Sequence, residues 1–123
     1  MANTISWFEI PVLDFDRASK FYSGLLSYNI QEQSWGDTKM GFLSGMEAQG
    51  LSGAIVLGKG YEPSEKGTLV YLNGGEDLSG MLARVEPNGG KIILPKTLIN
   101  VDYGYFAMFI DTEGNRIALH SMK

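Results

Sequence analysis

Two stretches of this chain, sixty residues apart, carry the same apolar pattern, and that repeat constrains the fold more than any other feature. Ala18, Phe21, Tyr22 and Leu25 stand at i, i+3, i+4 and i+7, and so do Leu78, Met81, Leu82 and Val85. Each set is one stripe of a helix. Such spacing is common to amphipathic helices, so the weight lies in the order of the elements around them. Ile5–Val12 alternates as a strand, with Phe8, Ile10 and Val12 on one face and Trp7 and Glu9 on the other. Pro11, which lacks an N–H, suits a sheet edge. Asp14 or Asp16 caps the first helix, which should stop near Ser27. Strands follow at about 29–35, 38–43 and 51–57, separated by Gly36-Asp37 and by the Gly45–Gly50 loop. After the polar stretch 59–66 the order returns. A strand at 68–72 leads to a helix capped by Asp77 and ended by Pro87-Asn88-Gly89-Gly90. Strands at about 91–95, 103–110 and 116–121 complete the set, the last two joined through the turn 111–115.

The pattern predicts an α+β fold in one domain, 1–123. It consists of two tandem βαβββ modules, about 1–58 and 67–123, with a linker at about 59–66. One helix covers only one face of a four-stranded sheet. Two such sheets side by side make a curved mixed sheet around a cup, and a concave, partly apolar surface is where small molecules bind.

Composition narrows the chemistry. The chain has no cysteine and one histidine, His120. A zinc site built on Cys or on several His is therefore out of reach, as are disulfides and a cysteine nucleophile. Ten basic against fourteen acidic residues give a net charge of −4, which speaks against nucleic acid as a partner. No stretch nears the roughly 20 apolar residues that span a bilayer. Met1–Thr4 does not open a basic region followed by an apolar run. The expectation is a cytoplasmic protein that meets no membrane.

Three segments carry a family likeness. The first is Phe8-Glu9-Ile10-Pro11-Val12 with Asp14, Arg17-Ala18 and Phe21-Tyr22. The second is Gly89-Gly90-Lys91-Ile92 with Pro95-Lys96-Thr97. The third is Gly104-Tyr105-Phe106-Ala107 with Asp111-Thr112-Glu113-Gly114-Asn115-Arg116-Ile117 and Leu119-His120-Ser121. Together they resemble the vicinal oxygen chelate superfamily, the glyoxalase, bleomycin-resistance and extradiol dioxygenase group. The resemblance implies a divalent metal held by His or Glu on the first and last strands of each module. Carried over by position, those ligands fall on Trp7, near Thr68, on Ala118 and within Ser52–Leu57. Trp and Ala have no donor atom, a lone Thr hydroxyl is a weak ligand, and the segment 52–57 holds no His, Asp or Glu. The expectation is a cup with no metal and no cofactor. The resemblance also implies a homodimer.

Glu9 shares its face with Trp7 and so points into the expected cup, as an acid or base, or as the partner of a cationic ligand. A Glu satisfied by backbone amides or by Arg116 is the plainer reading. His120 shares parity with Ala118 and Arg116, and either faces the cup or reaches the surface. Trp35, Met40, Phe42, Tyr103, Tyr105 and Met108 lie on strands two, three and seven, with Met40–Phe42 and Tyr103–Tyr105 as i, i+2 pairs. They line a cup for an apolar or planar molecule, or else pack as core or dimer interface. Lys96 sits at the mouth of the cup or in solvent. Gly104, Gly114 and Asn115 read as turn or close-approach positions. Three functions compete: a small-molecule binding protein, a metal-independent lyase or isomerase using Glu9 with His120 or a tyrosine, and a regulatory partner domain.

Overall fold

The computed structural model describes residues 4–45 and 51–123. The repeat is present as two four-stranded sheets. The first contains β1 (Phe8–Pro11), β2 (Glu32–Trp35), β3 (Thr38–Phe42) and β4 (Gly53–Leu57), ordered β1-β4-β3-β2. The second contains β5 (Val70–Asn73), β6 (Lys91–Asn100), β7 (Gly104–Ile110) and β8 (Arg116–Ser121), ordered β5-β8-β7-β6. In both sheets the first strand pairs parallel with the last and the other pairs are antiparallel. β1 is an edge strand, which is how Pro11 is tolerated there.

Helix α1 spans Phe15–Leu26. Asp14 caps it, its Oδ1 accepting from the Arg17 amide at 3.1 Å. Ser27 ends it in the left-handed conformation, φ 52°. The stripe Phe15, Ala18, Phe21, Tyr22 and Leu25 is buried in one core with Ile10 and Ile55 of the first sheet, Val12 just after β1 and Phe109 of the second sheet. Each large apolar side chain so buried contributes roughly 1.5–3 kcal/mol.

The second helix departs from the expectation. α2 covers only Ser79–Leu82. Arg84 and Val85 donate to the carbonyls of Met81 and Leu82, three residues back, and Asn88 Nδ2 draws off the Arg84 carbonyl at 2.7 Å. These contacts, with Gly80 inside the helix, wind residues 83–89 into turns. The apolar spacing still works: Leu78 and Val85 are fully buried. β6 also runs past Pro95 to Asn100, with register shifts between Leu94 and Thr97, because an edge strand can carry a proline. The Gly45–Gly50 loop, beyond Gly45, lies outside the described residues.

A buried polar lock joins the modules, and it is built from the two sequence motifs. The side chain of Glu113, 0% exposed, accepts from the Leu13 and Asp14 amides at 2.8 Å and from Arg17 Nε at 2.7 Å. Burial alone would push its carboxyl up. The Arg17 bond, the two amides and the Thr112 hydroxyl outweigh that and hold it at about 2. Tyr22 donates to Asp111 Oδ2 at 2.6 Å, and Asn115 Nδ2 bridges Pro11 O and Asp111. Burial, then the Asp111 charge, raises the Tyr22 phenol well above its ordinary value, so it stays a donor.

Candidate functional site

Strand register decides which side chains leave the helix-covered face. On β3, a Cβ on Gly41 would strike Ile30, Ile55 and Phe15, so Met40 and Phe42 point the other way, onto the open face. Phe42 pairs with Ala54, and Glu9 pairs with Ala54 from β1. Trp7 meets Phe42 edge-on with ring centroids 5.7 Å apart, and Trp35 lies 6.4 Å from Phe42 on its own side. Trp7 is 43% and Trp35 57% exposed. The first sheet therefore brings Trp7, Trp35, Met40 and Phe42 to one face.

On the second sheet, Ile117 and Leu119 join the core, so Arg116, Ala118 and His120 take the open face. Register sets Met108 beside Ala118, and Phe106 and Asn73 on either side of His120. Tyr105 goes elsewhere. Gly104, at φ +82°, breaks the alternation before it, so Tyr103 sits in a turn and Tyr105 packs on the helix-covered side. Lys96 is there too, 4.6 Å above the Tyr105 ring and 2.9 Å from Asp77, and not at the mouth of a cup. The pair Tyr103–Tyr105 is thus split. His120 Nε2 lies 2.6 Å from the Tyr103 carbonyl. A carbonyl only accepts, so Nε2 is the donor.

A half-open cleft of about 320 Å³ lies at the seam between β1 and the β5–β8 edge. Glu9, Thr68 and Arg116 line it, with Glu62 and Lys66 from the connecting segment. Glu9 does not pair with Arg116. Its Oε1 accepts from the Tyr61 hydroxyl at 2.8 Å, which raises the Tyr61 phenol and keeps it protonated. Among the described residues, Arg116 Nε is buried without a hydrogen-bond partner.

The residues do not fit the superfamily's metal. Ala118 is fully buried, Thr68 offers one exposed hydroxyl, and β4 reads Gly-Ala-Ile-Val-Leu. Among the described residues no three of His, Asp and Glu come together as a metal would need.

Tyr61, Tyr71, Asn73, Phe106 and Arg116 escaped the sequence reading as site residues. Tyr71 is half exposed, with its ring 6.5 Å from that of Phe106. Its alternation with buried Leu72 and part-buried Val70 was a usable signal. Tyr61 had none, since it lies in the connecting segment and reaches Glu9 only through the fold.

An α+β pair of βαβββ modules with an aromatic open face defines a small-molecule scaffold. No protein-family model matches the chain. It is 32% identical over 117 residues, 94% of its length and 91% of the other's, to a glyoxylase-like domain-containing protein of Didymella fabae. The chain belongs to the vicinal oxygen chelate superfamily, the glyoxalase and bleomycin-resistance group. Solved structures share the fold. A glyoxalase I variant from Zea mays superposes with a TM-score of 0.69 at 16% identity over 95% of this chain, which spans 45% of that protein. A glyoxalase/bleomycin resistance protein from Albidiferax ferrireducens gives 0.64 at 18%, covering 97% and 98% of the two chains. TnmS3, an antibiotic binding protein from a Streptomyces species, gives 0.60 at 22%, covering 98% of each. Among the described residues, no helix is long and apolar enough to cross a membrane.

Proposed function

We propose that this protein binds a planar, largely apolar small molecule on the open face, without a metal. The cluster Trp7–Phe42–Trp35 carries this reading. Two large rings left 43% and 57% exposed beside a third ring form a stacking platform that a ligand would cover. The antibiotic binding activity named for the Streptomyces protein of the same fold supports it. Modules 1–58 and 67–123, joined through 59–66, act as one unit, and a homodimer closes the cup over the ligand. Light scattering after size exclusion checks the dimer; a mass of one chain removes that part of the proposal.

Trp7 and Trp35 are the chain's two tryptophans, so its intrinsic emission reports on the platform. Titration with planar aromatic compounds quenches it saturably, and Trp35→Ala weakens binding by about tenfold, the ~1.4 kcal/mol expected of one stacked ring. A panel that leaves the emission unchanged, or a Trp35→Ala variant that binds as tightly as wild type, overturns the reading.

One observation favours a second reading, a metal-independent lyase or isomerase. Glu9 lines the solvent-open seam and is oriented by Tyr61. A carboxylate fixed in this way abstracts and returns a proton when a substrate C–H is brought within reach. Here Glu9→Gln abolishes turnover while Tyr61→Phe lowers it by ~10–100-fold, the range for losing an orienting bond. Equal activity in wild type and Glu9→Gln sinks it.

A further inference from the structure

We propose that the open face of the second sheet is a phenol site: Tyr71 and Phe106 receive the ring of a planar ligand, and Asn73 and His120 bind the hydroxyl on its edge. This deepens the small-molecule reading above, rests on it, and names the ligand class.

The ring surface depends on one small residue. Tyr71 stands on β5 and Phe106 on β7, with β8 between them. On β8, Ala118 pairs with Tyr71 on one side and with Met108 on the other. A methyl group there leaves room above the strand. The rings of Tyr71 and Phe106 approach across it, with centroids 6.5 Å apart and planes 32° from parallel. Ala118 is fully buried, yet Tyr71 stays half exposed. A half-exposed ring backed by a second ring offers a surface to a third.

The polar end is set by register and by two internal bonds. Asn73 and Phe106 flank His120 on the neighbouring strands. All three alternate with the buried Leu72, Ala107 and Leu119, and so share the open face. The Gly75 amide can only donate, and it does so to the Asn73 side chain at 2.9 Å. The accepting atom is therefore Oδ1, and Nδ2 is left as a donor for an incoming group. His120 Nε2 donates to the Tyr103 carbonyl at 2.6 Å, which holds the ring and leaves Nδ1 for a ligand. Neighbouring strands lie about 4.8 Å apart, so one oxygen between the two side chains reaches both. A hydroxyl suits this pair because it accepts and donates at once. It takes the Asn73 N–H, and it meets Nδ1 as donor to a neutral imidazole or acceptor from a charged one. An ether oxygen only accepts, and a bare hydrocarbon does neither.

The chain has one histidine and two tryptophans, so a single NMR sample reports on both sheets. The protein is titrated at neutral pH with 2-naphthol, 2-methoxynaphthalene and naphthalene. The His120 Cε1–H and the indole N–H resonances of Trp7 and Trp35 are followed together. 2-Naphthol shifts His120 saturably and binds about tenfold more tightly than naphthalene, the sum of two modest hydrogen bonds, with the methyl ether weaker than 2-naphthol. Asn73→Ala cuts the preference over naphthalene to about threefold, while Tyr71→Ala weakens both compounds alike. Three results overturn the proposal: a His120 resonance unmoved by 2-naphthol, 2-naphthol bound no more tightly than its methyl ether or naphthalene, or an undiminished preference in Asn73→Ala. The ligand comparisons use the wild-type chain and do not depend on any variant folding. Indole shifts with an unmoved His120 remove this proposal and leave the tryptophan platform standing. No shift in any of the three resonances removes both.

Discussion

Replacing Glu113 with alanine lowers the unfolding free energy by about 3 kcal/mol and the melting midpoint by about 12 °C. The magnitude follows from the folded structure in two ways. The variant strands the Leu13 and Asp14 amides at the turn into α1, both held at 2.8 Å in the native protein, and removes the partner of Arg17. Arg17 is half exposed and recovers water, which keeps the loss near the lower end for a broken buried pair. Independently, a carboxyl held at about 2 instead of its ordinary 4.5 binds its proton more weakly in the folded state. Its stabilisation is fully present above pH 4.5 and is lost as pH falls through about 2. Asp77, also lowered to about 2, chiefly by the Ser79 amide and then by Lys96, titrates in the same window. The useful measurement is therefore a difference, wild type against Glu113→Gln, by denaturant unfolding at several pH values. The gap narrows from pH 4.5 to 2 and closes below. A gap that ignores pH would show that the Glu113 charge contributes nothing.

Gly104→Ala has a comparable effect, about 3 kcal/mol or more, for a different reason. Gly104 opens β7 at φ +82°, where a side chain is strained. An added Cβ would also run into the Ser121 carbonyl oxygen and lie 2.8 Å from the Met122 Cα, both on the backbone. The β7–β8 ladder must open where Tyr105 pairs with Ser121, and the His120–Tyr103 bond loosens with it. Gly114→Ala is the control. Its φ is +96°, but nothing lies within 4 Å of the added carbon, so it carries only the conformational term, about 1 kcal/mol. Equal losses in the two variants would remove the close-approach argument.

Much of the architecture was legible in the residues. The duplicated stripes 18–25 and 78–85 mark buried faces in both modules, even though the second is helical only over Ser79–Leu82. Apolar spacing reports which side chains are buried. It cannot separate a helix from a run of turns when a glycine and a competing asparagine side chain intervene. Alternation likewise put Trp7 on the face opposite Phe8 and Ile10 and set Met40 and Phe42 on a common side, but it failed at Tyr103–Tyr105. Gly104, at positive φ, opens β7, so Tyr103 lies in the turn before it and strand parity does not link it to Tyr105.

The site was less legible because its parts are distant in sequence. Local pattern determined the repeat and the absence of donors at Trp7, Ala118 and 52–57, since each depends on residue type and on periods of two or 3.6. Only the tertiary structure decided that Tyr61 orients Glu9 from 52 residues away, that Arg116 Nε has no partner among the described residues, and that Arg17–Glu113 and Tyr22–Asp111 are one lock. Those pairings depend on how two sheets meet, and no period in the chain encodes the distance between them.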